Sequence, residues 1–208
     1  MKKNILITFE GNEGSGKSTQ IRLLYNFLKK KGRKVFLTRE PGGTKIGDAI
    51  RQVLLDKRNK KMSAFCETLL YMASRAQLVE EVVAPKLENG YIVLCDRWLD
   101  ATVAYQGYGG GMDVDWIRRL GEKATLGIKP ALSLYLDLPV ELGLARAKNR
   151  KTADRIESKS VLFHKKVRQG YLSIAKREPG RFKRIALSEN DSVSSIHARV
   201  KEAVLRVL

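Results

Sequence analysis

Histidine and cysteine are scarce in this chain, with two of each among 208 residues. His164 and His197 have no paired ligand residues near them, so a zinc site or a serine–histidine triad finds no donors. Cys66 and Cys95 are far apart and match no metal or redox spacing. Cys95 lies in an apolar run and reads as a small buried side chain, which suits a reducing compartment. No apolar run approaches the length of a membrane helix. The start, Met1-Lys2-Lys3 and then apolar residues, has the beginnings of a secretion signal, but Glu10 ends the run before any small-residue cleavage site. A cytoplasmic protein with no membrane partner is expected. A Pro/Ser-rich linker and an internal repeat are also missing, so residues 1–208 read as one domain.

Acidic residues are in deficit as well, 22 against 40 basic ones, for a net charge of +18. Residues 146–208 alone hold 17 basic and 6 acidic side chains. A basic third of this kind suits a nucleic acid. It equally suits solvated helix faces in a protein whose ligands carry several phosphate charges. No RNA-binding signature or helix-turn-helix glycine pattern accompanies it, so no specific nucleic-acid partner is expected.

What the chain does contain is Gly11-Asn12-Glu13-Gly14-Ser15-Gly16-Lys17-Ser18, which fits G-x-x-x-x-G-K-[ST] and is followed by Thr19. An apolar run, Ile5–Phe9, precedes it, and Ile21, Leu24, Phe27 and Leu28 follow at helical spacing. Glycines let successive backbone N–H groups turn inward around a phosphate, and the helix N-terminus adds its dipole. Lys17 would reach the β- and γ-phosphates and Ser18 would ligate Mg²⁺. The motif implies binding of a nucleoside triphosphate.

Apolar strand-length runs recur at Ile5–Phe9, Val35–Thr38, Tyr91–Cys95, Leu132–Leu136 and, more weakly, Phe182–Leu187, with helical patterns between them. Runs that are apolar throughout suit strands covered on both faces, and the alternation argues for a five-stranded parallel sheet in a three-layer α/β fold. Ligands of such sheets lie beyond the carboxyl ends of the strands. Those positions hold the glycine-rich loop, Arg39-Glu40-Pro41-Gly42-Gly43-Thr44, Asp96-Arg97-Trp98 and Asp137-Leu138-Pro139. Guanidinium forks match phosphate oxygens, so Arg39 and Arg97 suggest a phosphoryl acceptor that is itself a phosphate.

At these residues the chain resembles the bacterial thymidylate kinases. The resemblance rests on Phe9 to Thr19, Thr38-Arg39-Glu40-Pro41-Gly42-Gly43-Thr44, Asp96-Arg97-Trp98 leading to Ala104-Tyr105-Gln106-Gly107, Asp154-Arg155-Ile156-Glu157 and Tyr171-Leu172. The Arg-Glu-Pro-Gly-Gly-Thr segment is the most specific of these. The resemblance implies a P-loop nucleoside monophosphate kinase fold and a homodimer. It also implies transfer of the γ-phosphoryl of ATP to dTMP with Mg²⁺, giving dTDP and ADP for dTTP biosynthesis.

The same resemblance implies roles for individual residues. Tyr71, where phenylalanine is usual, stacks on thymine, and Arg75 hydrogen-bonds a base carbonyl. Thr102 meets the base edge, Tyr105 crowds the sugar 2′ position, and Gln106 lies near the nucleotide. Glu13 helps place the acceptor. Ala101 stands where serine is usual and Trp98 where tyrosine or histidine is usual. Asp96 is expected either to orient water on Mg²⁺ or to hold Arg97, and both roles are compatible.

Some relatives carry an arginine in the phosphate loop where this chain has Gly14. The added positive charge is therefore expected from a lid at about 146–158, from Arg150 first and Arg155 second, with Arg146 sharing a helical face with Arg150. Asp154 and Glu157 have the spacing of a capping box. The stretch 64–88, with Leu69, Leu70, Leu78, Val79, Val82 and Val83, reads either as a dimer interface or as a helix buried on the sheet.

Overall fold

A computed structural model describes residues 5–148 and 154–208. All five apolar runs form strands: β1 (Ile5–Glu10), β2 (Val35–Arg39), β3 (Ile92–Asp96), β4 (Leu132–Asp137) and β5 (Phe182–Ala186). They pair in parallel in the order β2-β3-β1-β4-β5. Burial on both faces holds for β1, β3 and β4, whose residues are buried except Asp96 at the end of β3. It fails for β2 and β5, where Leu37, Arg39, Lys183 and Arg184 are exposed, because these are the edge strands. Exposed cations along β5 discourage edge-to-edge pairing.

Helices cover both faces of the sheet. Ile5, Ile7 and Phe9 of β1 pack with Ile21, Leu24 and Leu28 of α1 (Lys17–Lys30) and with Val200 and Val204 near the C-terminus. Leu6 points the other way, as strand alternation requires, and packs with Leu78, Val79, Val83 and Trp98. Thr44 caps α2 (Lys45–Leu55) and Ser63 caps α3 (Ala64–Leu78) through side-chain oxygens.

From α3 the chain continues through a π-wound segment, Val79–Val83, into α4 (Ala84–Glu88). After β3, α5 (Leu99–Thr102) runs into a second π-wound segment, Val103–Gly109. Then follow α6 (Val114–Ala124), α7 (Val140–Lys148), α8 (Val161–Arg177) and α9 (Val193–Leu205). The stretch 64–88 divides along its length: Leu78, Val79 and Val83 are buried on the sheet, whereas Phe65 and Leu69 are exposed.

Candidate active site

The loop from β1 to α1 turns through Gly11, Gly14 and Gly16, all at positive φ. Gly14 has φ 70°, and a Cβ there would lie 2.2 Å from the Gly143 carbonyl oxygen of α7. A Cβ on Gly143 would in turn lie 2.4 Å from the Glu13 carbonyl oxygen. Loop and α7 therefore touch backbone to backbone. Lys17 Nζ folds back and donates to the Gly11 and Asn12 carbonyls, each at 2.9 Å. Burial, then the nearby Arg97 cation, bring its ammonium down to about 8. Ser18 Oγ donates to Asp96 Oδ2 across 3.3 Å at the end of β3.

Arg97 follows β3 in the left-handed region, φ 74°, with its N–H on the Phe9 carbonyl at 3.0 Å. A non-glycine residue held there is strained backbone of the kind found at functional sites. Its guanidinium donates to Gly11 O at 3.0 Å and Glu13 Oε1 at 2.6 Å, and lies 4.8 Å from the Tyr105 ring centre. Tyr105 also donates its hydroxyl to Glu13 Oε1, at 3.0 Å. Burial alone would raise the Glu13 carboxyl; Arg97, Lys17 and the Tyr105 hydroxyl outweigh it and hold the group at about 2.

Across the cleft, Arg75 is buried and donates through Nε to Glu40 Oε2 at 2.8 Å and through NH2 to Thr102 Oγ1 at 3.0 Å. Burial raises the Glu40 carboxyl and Arg75 opposes it. Arg39 projects from the end of β2 and is mostly exposed, 3.4 Å from Asp48. Gln106 donates to the buried Glu67 at 2.8 Å.

One cleft is bordered by the loop residues Glu13–Thr19 and by Arg39, Tyr71, Arg75, Asp96, Arg97, Thr102, Tyr105 and Gln106. Gly11 and Asn12 lie beneath it as acceptors for Lys17. Ala101 and Trp98 also line it, and Trp98 is buried as a core residue.

Arg150 lies outside the described residues, and Arg146 is exposed on α7. The Asp154/Glu157 pair makes the reciprocal bonds of a capping box, Asp154 N–H to Glu157 Oε2 and Glu157 N–H to Asp154 Oδ1. It closes a turn rather than a helix, because the helix starts only at Val161. Asp154, Ile156 and Glu157 line the cleft. Arg155 does not: its Nε donates to Leu54 O at 2.7 Å and its NH2 meets Glu67 Oε2 at 2.6 Å.

Sequence reading missed Arg51, which borders the cleft with Leu55 one turn later and donates to Pro41 O at 2.9 Å. Burial and the neighbouring Arg39 lower its pKa. Arg39, Arg51 and Arg97 thus line the same cleft as the phosphate loop, as does Arg75, whose guanidinium is taken up by Glu40. The signal for Arg51 was slight, one of two cations on an amphipathic helix.

A family model described as thymidylate kinase matches residues 9–200. A thymidylate kinase of Geotalea daltonii is 52% identical over 206 residues, covering 96% of this chain and 95% of that one. One of Sulfurihydrogenibium is 46% identical over 198 residues, covering 95% of each. The crystal structure of a thymidylate kinase from Ehrlichia chaffeensis superimposes with a TM-score of 0.79 at 32% identity and 98% coverage of both chains.

Proposed function

The chain belongs to the thymidylate kinase family, and from this premise we infer that it transfers the γ-phosphoryl group of ATP to dTMP, giving dTDP and ADP. It is a nucleoside monophosphate kinase with the parallel-sheet P-loop fold of that class. The observation that carries the site assignment is that Arg39, Arg51 and Arg97, the cleft arginines other than the Glu40-bound Arg75, line one cleft with the phosphate loop. A transfer between two phosphates concentrates negative charge there, and catalysis consists mainly of positioning and charge stabilisation.

The loop Gly11–Thr19 holds the ATP phosphates in this reading, and Lys17 exchanges the Gly11 and Asn12 carbonyls for phosphate oxygens. Arg97, with Arg39 and Arg51, grips the acceptor phosphate. Glu13 fixes Arg97 and Tyr105 in relation to each other. It serves as no general base, since a phosphate monoester oxygen is largely ionised at neutral pH. Tyr71, Arg75, Thr102, Tyr105 and Gln106 surround the base and sugar.

The facing oxygens of Ser18 and Asp96 form a donor pair of the kind Mg²⁺ takes, and these residues would hold it. When bound, it neutralises charge on the ATP phosphates. Arg150, with the lid at 146–158 as part of the one domain, is proposed to supply further positive charge at the transferring group. Arg155 stays in this reading as a lid residue, tied at present to Glu67. A homodimer through the exposed apolar residues Ile46, Val53, Phe65 and Leu69 of the adjoining α2 and α3, and residence in the cytoplasm, complete the proposal.

The test is ADP release with ATP and Mg²⁺ against dTMP, dUMP, UMP, CMP and thymidine in parallel. Strong preference for dTMP is expected. No ADP above the acceptor-free control would overturn the reading.

A further inference from the structure

Glu67 is a buried carboxylate in the first turn of α3 that does not itself border the cleft. Its Oε1 accepts the hydrogen bond of Gln106 at 2.8 Å. Its Oε2 lies 2.6 Å from Arg155 NH2 and 3.9 Å from Lys159 Nζ. Arg155 is fastened a second time to the end of α2, through Nε to Leu54 O at 2.7 Å and through its backbone N–H to Leu55 O at 3.2 Å.

The residues flanking Arg155, Asp154 and Ile156, border the cleft, and so does Gln106. One carboxylate therefore shares its two oxygens between two parts of the cleft wall, Gln106 and the segment that carries Asp154 and Ile156. A surface ion pair would contribute little, but here the carboxylate is buried and the Arg155 side chain is only 9% exposed, so losing Arg155 leaves a buried charge poorly matched.

We propose that Glu67 is a positioning residue that couples the acceptor pocket to the lid. A nucleotide that draws on Gln106 shifts the shared carboxylate, and Arg155 transmits the shift to residues 154–157. The proposal rests on the kinase reading above. The two fail separately: a wild-type chain that does not phosphorylate dTMP sinks the reading, whereas wild-type turnover with a silent Glu67 sinks only the coupling.

Glu67→Gln keeps an acceptor for Gln106 and removes the charge that holds Arg155. In the dTMP assay, Glu67→Gln and Arg155→Gln are each expected to lower kcat/KM about tenfold. The double variant is expected to be no worse than the poorer single one, which is the mark of a shared interaction. A merely structural carboxylate would lower the melting temperature and leave kcat and KM of the folded enzyme within twofold, and that result, or multiplying losses, overturns the proposal.

Hydrogen exchange on the wild-type protein can overturn the coupling even if the variants do not fold. Addition of dTMP alone, without ATP, is expected to slow exchange at 154–158 about tenfold, a local coupling of the size such contacts carry. Unchanged exchange there overturns the coupling.

Discussion

Replacing Gly143 by alanine sets two effects of opposite sign against each other. Gly143 lies inside α7 without positive φ, so helix propensity alone favours alanine by about 1 kcal/mol. The new Cβ, however, would lie 2.4 Å from the Glu13 carbonyl oxygen, a backbone atom that cannot swing aside as a side-chain tip does. Relief requires loop and helix to part by roughly 0.5–1 Å, and overpacking of this kind costs about 1–3 kcal/mol. The net is a loss of about 1 kcal/mol, or roughly 2–4 °C in melting temperature for a chain of this size.

Activity should suffer more than stability. Glu13 makes the 2.6 Å contact to Arg97 and the 3.0 Å contact to Tyr105, so displacing its backbone displaces both. Misplacement by about 1 Å costs on the order of 100-fold in rate. Calorimetry and the coupled ADP assay on Gly143→Ala measure the two quantities. A higher melting temperature with unchanged kcat would show that the loop does not depend on the bare α7 backbone, and would refute the reasoning.

Lys17 titrates at about 8 in the nucleotide-free chain, so the charged form is lost as pH rises through that value. The profile of kcat/KM for ATP, which reports free enzyme, should fall above about pH 8 while kcat stays level further into the alkaline range, because bound phosphates hold the proton on. Arg75→Met leaves Glu40 buried without its cation and should cost about 3–5 kcal/mol in urea unfolding. Arg51→Gln should raise KM for dTMP about tenfold and change KM for ATP little, since one charge-assisted hydrogen-bonding group is worth about 1.5–3 kcal/mol. Equal effects on both substrates would remove Arg51 from the acceptor side.

Much of this architecture was legible because it is local. Apolar runs such as Ile5–Phe9 and Leu132–Leu136 have few alternatives to a strand, and Gly11–Ser18 carries its geometry in its glycines. Tyr71 and Arg75, four apart, border one cleft because helical spacing puts them there. What was illegible depends on contacts between distant segments. The exposure of Leu37 and Lys183 follows from strand order, which no single run encodes. Arg155 turns toward Glu67 because α2 and α3 meet the lid there, 88 positions away along the chain, and nothing in Asp-Arg-Ile-Glu specifies that partner. Gly143 looks like a weak helix position until Glu13 is placed against it.

The π-wound segment Val103–Gly109 has a bearing on which insertions and deletions the gene can tolerate. Its wide turns, with Gly110 N–H reaching back to Tyr105 O at 2.8 Å, carry residues beyond what an α-helix of the same rise would need. Removing one residue would let the backbone relax into the commoner helix. The same deletion would rotate Tyr105 and Gln106 away from Glu13 and Glu67, which they now meet together. In this stretch the number of residues, as well as their identity, sets the acceptor side of the cleft. A length change in 103–109 of this chain is therefore expected to alter acceptor handling before any side chain is exchanged.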